Sequence, residues 1–372
     1  MSAPAIASTR REAGIELGRI FCCYCVIVIH IQSFYAAKPV TSLIWTWAKC
    51  AATPVFFLIT GFFFDPAKPF RTYLERLLKR VVLPTVFLLL AVAQLTPWLS
   101  GQAPLTACFT GPNWDNFGRV GRIMVSFWPY EYLPDYNPFI SLWFTFALIL
   151  CYLCFPVLKL LCGPGEGPRA VKKYLLGLGL FLFVFRVSLL TFFPDNFTVQ
   201  HLDWWIQEKP FYWLWLILLG HHLGLWLKDE RAMARLRARL PLLGLAAYLS
   251  GGLALFWLTL NFNVDEAGLV NQRFFVREFV FYLAAQLGMF LFFAGLKLES
   301  ARLSGLILFV ADKTFYIYMT HEAVYHKILT AGGFDLDTAP GYLGFASLTF
   351  AVSLAVACLL KKAERLIRRA LA

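Results

Sequence analysis

The chain has 372 residues, of which 59% are hydrophobic and only 15% are charged, and its mean hydropathy is +0.63. A soluble globular protein carries about a quarter charged residues, so this composition excludes an ordinary water-soluble protein and indicates an integral membrane protein. The formal charge of +12 does not indicate a nucleic-acid partner, because the Lys and Arg residues are spread through short connectors instead of forming one binding face.

About ten apolar stretches approach the roughly 20 residues that a helix needs to cross a membrane. They are continuously apolar and lack the alternation of barrel strands, so we expect an all-α, polytopic membrane protein. The approximate spans are 20–37, 43–63, 81–99, 139–161, 174–193, 211–227, 241–260, 274–296, 306–330 and 341–360. Asp312 and Lys313 interrupt the ninth span, and the alternative is a helix that begins near Thr314, with 297–313 along the cytoplasmic surface.

The basic residues predict the orientation of these spans. Twenty-three Lys and Arg residues lie in the N-terminal segment, in alternate connectors and in the C-terminal tail, and only five lie in the opposite set of connectors. Basic residues accumulate on the cytoplasmic side of a membrane, so both termini are expected in the cytoplasm. The longest connector, 100–138, is too short for a soluble domain, and residues 1–372 are expected to form a single transmembrane domain.

Two groups of metal-ligand residue types do not predict a metal site. Cys22, Cys23 and Cys25 point in different directions around one helix, which does not make a tetrahedral site. In HEAVYH, His321 and His326 are five residues apart, about 140° around a helix, whereas the zinc motif HExxH places two histidines four apart on one face. We therefore expect buried structural thiols and no metal.

The first span carries two ionisable residues on one helical face. Arg19 and His30 are eleven positions apart, which corresponds to about 16 Å along a helix and only about 20° around it. An ionisable residue inside a membrane is costly to bury and often functional. The alternative is a neutral His30 hydrogen-bonded to a neighbouring helix. Glu16 precedes Arg19 by three positions, a spacing at which the carboxylate can hold the guanidinium.

Further along the chain, four other segments carry polar or aromatic residues at the spans. The segment PVFFLITGFFF places Thr60 and Gly61 in an apolar helix, where small residues allow close packing. A basic segment before Pro84 has three cations on one face, suited to anionic lipid headgroups or to the phosphates of a soluble ligand. These cations are Arg76, Lys79 and Arg80. Trp143 lies in an LWF segment, and His321 ends the segment DKTFYIYMTH.

In this order, the motifs resemble those of acyltransferase family 3, and especially its short form without a soluble domain. The resemblance covers about 11–325 and includes the Arg19-x10-His30 element and the TG-containing second span. Glu16 stands where the family usually has aspartate, and Thr60 where it usually has serine. Both substitutions keep polar groups at these positions.

The resemblance implies a multi-pass enzyme of the bacterial inner membrane. It implies transfer of an acyl group, most simply acetyl, from cytoplasmic acyl-CoA to a hydroxyl of a surface or periplasmic glycan. The acyl-CoA is then a co-substrate, and no separate cofactor is expected. The expected partners are the acyl-CoA donor, the glycan acceptor and the lipid bilayer.

The resemblance also implies roles for individual residues. His30 is the candidate general base for the sugar hydroxyl, or it carries the acyl group as an acyl-imidazole; both routes remain open. Arg19 is expected to pair with the CoA phosphates or to orient the donor, with Glu16 holding its guanidinium. Arg76, Lys79 and Arg80 suit the same anionic ligand. Trp143 and His321 are expected at the substrate site, where His321 donates to the thioester carbonyl or only makes a structural hydrogen bond.

A transporter of glycans or lipid-linked sugars is the alternative from another functional class. It would use the buried polar residues to line a path, without covalent chemistry. Such proteins carry half-helices broken by Gly or Pro at matching positions of two repeats. The sequence shows no such pair of repeats.

Overall fold

A computed structural model of the chain describes residues 4–31, 39–99, 101–126, 142–163, 165–185, 188, 210–229, 233, 236–262 and 279–370. Helices and short connections make up this part of the chain, and it contains no strand, so the all-α prediction is confirmed. Parts of the first, fourth, fifth and eighth predicted spans, and parts of the three longest connectors of the predicted outer side, lie outside the described residues.

Fifteen α-helices are described. In chain order they are α1 (Pro4–Ile31), α2 (Pro39–Ala51), α3 (Thr53–Phe62), α4 (Phe70–Leu77), α5 (Leu83–Leu99), α6 (Trp114–Ser126), α7 (Leu142–Leu153), α8 (Phe155–Cys162), α9 (Glu166–Gly179), α10 (Pro210–Lys228), α11 (Leu240–Phe262), α12 (Val280–Gly295), α13 (Ala301–Ala311), α14 (Thr314–Ala331) and α15 (Ala339–Ala370). A π-helical segment follows α4 at Leu78–Val82, and another follows α9 at Leu180–Phe185.

Several of these segments are long and apolar enough to cross a membrane. Among the described residues there are five such segments, or six if α7 and α8 form one span. The five are Ala13–Ile31, Val40–Phe62, Phe70–Leu99, Leu240–Leu258 and Ala339–Leu366. Elsewhere in the predicted spans, α12 and α13 are apolar but shorter. The number of ten spans therefore stays a prediction.

Prolines account for two irregularities within the predicted spans. The second span is split into α2 and α3 around Ala52, just before Pro54. Pro54 has no N–H to donate to the carbonyl four residues earlier, and its ring would clash there. Ahead of Pro84 the backbone widens into the π-helical segment, where the Leu83 N–H donates to the carbonyl of Leu78. Helix therefore runs from Phe70 through the basic segment that the sequence had suggested as a connector.

The ninth predicted span, 306–330, was wrong as one continuous helix. The structure ends α13 at Ala311 and starts α14 at Thr314, which agrees with the alternative start. Asp312 is exposed, and its N–H donates to the carbonyl of Leu308 as α13 ends. The first span also differs from the prediction, because α1 begins at Pro4, well before the apolar run.

The helices form two compact units. The first unit comprises Met1–Ala67 and Pro156–Asp312, and the second comprises Lys68–Phe155 and Lys313–Ala372. The sequence analysis predicted a single domain over residues 1–372. Such a domain would contain these two sets of packed helices. In the first unit, α1 packs against α2, α3, α12 and α13, while α11 packs along α12. In the second unit, α5 packs against α6 and α14, and α14 packs along α15.

The contact between α3 and α10 is the closest helix approach that bears on the polar residues of the first unit. A Cβ on Gly61 of α3 would lie 1.9 Å from the carbonyl oxygen of Ile217. A Cβ on Gly220 of α10 would lie 2.1 Å from the carbonyl oxygen of Leu58. These two helices therefore touch backbone to backbone, as small residues permit in membranes. The packing explanation offered for the TG-containing segment is sufficient for Gly61.

This contact predicts a stability difference between two Gly→Ala variants. Gly61→Ala should lower the thermal unfolding midpoint of the purified protein in detergent, with a cost of about 1–3 kcal/mol, because the methyl group forces α3 and α10 apart. Gly305→Ala is the matched control, since Gly305 is also helical and a Cβ there meets nothing within 4 Å. The control should be neutral or slightly stabilising. Equal midpoints for the two variants would contradict this account of the packing.

Candidate functional site

One unbroken helix of the first unit carries Glu16, Arg19 and His30. Helix α1 runs without a break from Pro4 to Ile31. Arg19 and His30 therefore lie on one face of it, about 16 Å apart along the helix axis. Arg19 lies near the middle of α1, and His30 lies in its last turn. The helix thus connects a cation to an imidazole three turns away.

Arg19 is held by two contacts within the first unit. Its Nη1 lies 2.9 Å from Oε2 of Glu16, and these side chains are 30% and 14% exposed. The guanidinium also lies over the ring of Phe63, 5.9 Å from its centroid. A guanidinium has five N–H donors, so a partly exposed Arg19 fixed in this way can still donate to a ligand. The expectation that Glu16 holds Arg19 agrees with this geometry.

The end of α1, which carries His30, is tied to α2. The indole Nε1–H of Trp45 donates to the carbonyl oxygen of Ile29 at 3.0 Å. This carbonyl belongs to the last turn of a helix, where carbonyls lack intrahelical partners. His30, the next residue, is half-buried. The hydrogen bond therefore fixes the backbone that carries the imidazole.

Lys49 is an ionisable residue that the sequence analysis missed. It lies inside the apolar segment Val40–Phe62, and its ammonium sits 4.5 Å from the ring centroid of Trp45 and 6.0 Å from that of Tyr282. Aromatic faces attract a cation, and this attraction grows when water is excluded. A lysine within an apolar span was the signal that could have identified it. Trp45 therefore contacts both the end of α1 and this cation.

The three phenylalanines at the end of α3 each contact a basic side chain of the first unit. Lys228 lies over the ring of Phe62 at 5.4 Å, and Arg19 lies over Phe63. The imidazole of His221 packs edge-on against Phe64 at 5.7 Å, and its Nδ1 lies 3.2 Å from the Phe64 carbonyl oxygen. The three phenylalanines therefore bring basic groups of α1 and α10 to the C-terminal end of α3.

In the second unit, the basic segment is exposed. Arg76, Lys79 and Arg80 are all exposed, while residues one turn apart on the opposite face, Tyr73 and Leu77, are buried. The exposed face continues along α5 as three apolar side chains, Leu83, Phe87 and Leu90. A band of cations followed by exposed apolar residues is typical of a helix that enters a bilayer, so the geometry favours lipid headgroups over a buried ligand site.

His321 lies deep in the second unit. Its side chain is 1% exposed, and Nδ1 is within hydrogen-bonding distance of the carbonyl oxygen of Tyr318. A carbonyl only accepts hydrogen bonds, so Nδ1 carries the proton, and Nε2 lies 3.7 Å from the carboxylate of Glu322. Glu322 is also buried, and it was not among the residues singled out from the sequence, because HEAVYH was considered only as a zinc motif.

The LWF segment packs near His321. Phe144, next to the half-buried Trp143, contacts the ring of Tyr318 at 5.0 Å. The hydroxyl of Thr145 donates to the sulfur of Met319 at 3.4 Å. These contacts connect α7 to α14 within the second unit. The two segments that were expected at the substrate site, those of Trp143 and His321, are therefore neighbours.

The fold and these buried polar residues define an all-helical membrane protein with ionisable groups inside its apolar helices. The family model described as an acyltransferase domain matches residues 12–358, nearly the whole chain. The chain therefore belongs to acyltransferase family 3 and is an acyltransferase. No curated protein and no solved structure matches it.

The buried Glu322 provides a test of the second unit. Glu322→Gln keeps the shape of the side chain but removes the charge beside His321, so acyl transfer should fall about tenfold or more if this pair holds a proton for the reaction. Glu75→Gln is the control, because Glu75 is half-exposed and pairs with Arg71 on the surface. The transfer rate is to be measured at matched protein levels. Equal rates for the two variants would mean that Glu322 has only a packing role.

Proposed function

We propose that the protein transfers an acyl group, most simply acetyl, from cytoplasmic acyl-CoA to a hydroxyl of a glycan at the outer face of a bacterial inner membrane. The proposal includes ten spans with both termini in the cytoplasm, as the asymmetry of the basic residues indicates. Membership of the family supports acyl transfer. The identities of the acyl donor and of the acceptor are what the proposal adds.

The observation that carries the proposal is the unbroken helix α1. With a cytoplasmic N-terminus, the Arg19 end of this face points toward the cytoplasm, where a phosphorylated donor is available. His30 then lies about 16 Å deeper, toward the outer face. One helix therefore provides an anion-binding group on the donor side and a proton acceptor on the acceptor side.

The chemistry needs only these groups and the two substrates. The hydroxyl oxygen forms a bond to the thioester carbonyl carbon, the C–S bond breaks, and the hydroxyl proton passes to His30. The thiolate of CoA leaves and takes up a proton. If His30 instead attacks first, it carries the acyl group as an acyl-imidazole before the hydroxyl displaces it. For His321, the family position implies donation to a thioester carbonyl oxygen; because Nδ1–H faces the carbonyl of Tyr318, this donation requires a protonated Nε2.

The transporter alternative draws support from one structural feature. Two apolar segments are broken shortly before a proline, at Ala52 before Pro54 and at Cys154 before Pro156. Broken helices of this kind line the binding sites of many transporters. Transport without covalent chemistry would leave the acyl label on CoA, so one assay separates the two functions.

The central test measures transfer from radiolabelled acetyl-CoA to surface glycan in membranes that contain the wild type, His30→Ala or Arg19→Ala. His30→Ala should lose about 10²-fold or more of the transfer rate, because a positioned base typically contributes this much. Arg19→Ala should weaken the use of the donor, whereas Arg71→Ala, an exposed surface residue paired with Glu75, should behave as the wild type.

Transfer by His30→Ala at the wild-type rate would contradict the assigned role of the imidazole. If the wild type labels no glycan and releases no CoA, the transporter function replaces the enzymatic one. Immunodetection of the protein in each membrane sample controls for expression. Arg19→Lys should restore part of the donor binding, since it keeps the charge but loses the planar pair of donors.

A further inference from the structure

Lys172 is a buried lysine in the first unit, and the sequence gives no sign that it is buried. It lies in α9 with 6% of its surface exposed, whereas Arg169 and Lys173 on the same helix are exposed. Within the described part of the chain, no carboxylate pairs with Lys172 and no hydrogen bond is made by its ammonium. A buried ammonium without an anion is costly, so this position suits a charge that a ligand neutralises.

The neighbour of Lys172 across the helix contact is His221. Helices α9 and α10 pack together, and the indole Nε1–H of Trp215 donates to the carbonyl oxygen of Leu176 at 3.1 Å. Leu176 is one turn after Lys172, and His221 is near enough to this lysine to feel its charge. The two side chains therefore lie on helices that pack together, within electrostatic range of each other.

One nitrogen of His221 has a partner and the other has none among the described residues. Because Nδ1 lies beside the carbonyl oxygen of Phe64, it carries the proton of the neutral ring. Nε2 is buried and makes no hydrogen bond within the described part of the chain, although the residue is only 5% exposed. Buried polar atoms are nearly always hydrogen-bonded, so Nε2, which has no partner among the described residues, is an atom that a ligand could satisfy.

The surroundings of this pair are basic. Lys228 and Arg19 stand over Phe62 and Phe63 at the same end of α3. Two nearby carboxylates have partners, since Glu16 holds Arg19 and the Oδ1 of Asp65 accepts from the N–H of Ala67 at 3.1 Å. The exposed Asp229 follows Lys228 in sequence. The carbonyl end of α3 attracts cations by its dipole, which explains Lys228 and Arg19, but it does not explain the buried Lys172.

We propose that Lys172 and His221, with Lys228 at the rim, bind a phosphate group. A phosphate accepts a hydrogen bond from the ammonium of Lys172. A second hydrogen bond joins the phosphate to Nε2 of His221. Either a phosphate hydroxyl donates to the neutral Nε2, or the Nε2–H of the imidazolium donates to a phosphate oxygen. The phosphate belongs either to the acyl-CoA donor or to an anionic lipid headgroup, and the first source rests on the proposed function.

The test compares Lys172→Gln with Lys173→Gln in purified protein reconstituted in nanodiscs of phosphatidylcholine. The probe is coenzyme A, with binding measured by calorimetry. Lys172→Gln should weaken coenzyme A binding at least about tenfold, and Lys173→Gln, the exposed neighbour, should not change it. Lys172→Arg, which keeps the charge, should retain most of the affinity.

Thermal unfolding without ligand shows whether Lys172 has only a structural role. Lys172→Gln should unfold at the same temperature as the wild type or higher, because it removes a buried charge that no described residue neutralises. A lower midpoint together with unchanged phosphate binding would overturn the proposal. Lys172 would then be a stabilising residue of the α9–α10 contact.

A second arm identifies the source of the phosphate. Nanodiscs with phosphatidylglycerol replace the neutral ones, and the rise in the unfolding midpoint is recorded for the same variants. If Lys172→Gln loses this rise but the wild type does not bind coenzyme A, the site holds a lipid headgroup and the donor part of the proposed function fails. If Lys172→Gln loses coenzyme A binding, the site holds the donor. Unchanged responses to both probes would overturn the phosphate site.

Discussion

Two glycines allow α3 and α10 to touch backbone to backbone, and the basic groups of the first unit depend on this contact. Gly61 faces the carbonyl of Ile217, and Gly220 faces the carbonyl of Leu58. A larger side chain at either position would overlap the facing carbonyl oxygen, so the two helices would have to move apart. At the present distance, the imidazole of His221 meets the Phe64 carbonyl, and Lys228 lies over Phe62.

Charges inside apolar helices are expensive, and the protein reduces their cost by several means. Arg19 is stabilised by Glu16 and by an aromatic ring, whereas Lys49 lies beside the rings of Trp45 and Tyr282. His321 has a carbonyl and a carboxylate as neighbours. Lys172 differs from these, since its described surroundings offer no counter-charge, and this difference is the basis for assigning it a ligand.

The sequence predicted those features that follow from periodicity along one helix. The common face of Arg19 and His30 depends only on the helical repeat, and the Glu16–Arg19 pair depends only on a three-residue spacing. The separate start of the helix at Thr314 was also recognised, because charged residues interrupt an apolar run. The number of ten spans rests on hydropathy and charge asymmetry, and the structure supports five or six of them among its described residues.

Features that depend on contacts between helices were not predictable in this way. The predicted spans left Lys172 in a connector, but α9 begins at Glu166 and packs against α10, and Lys172 is buried. Arg76, Lys79 and Arg80 were expected to hold either lipid headgroups or the phosphates of a soluble ligand because they share a face, and that face is exposed beside apolar residues. Residue spacing shows which side chains share one face of a helix, but it does not show which other helix packs against that face.

The proposed function requires α1 to connect a cytoplasmic donor to an acceptor on the other side of the membrane. The most direct measurement uses purified protein in sealed vesicles, with labelled acetyl-CoA added outside and surface polysaccharide enclosed inside. For molecules whose N-terminus faces outward, the account predicts that label accumulates on the enclosed polysaccharide while free CoA appears outside. Label found only on polysaccharide supplied on the same side as the donor would contradict it.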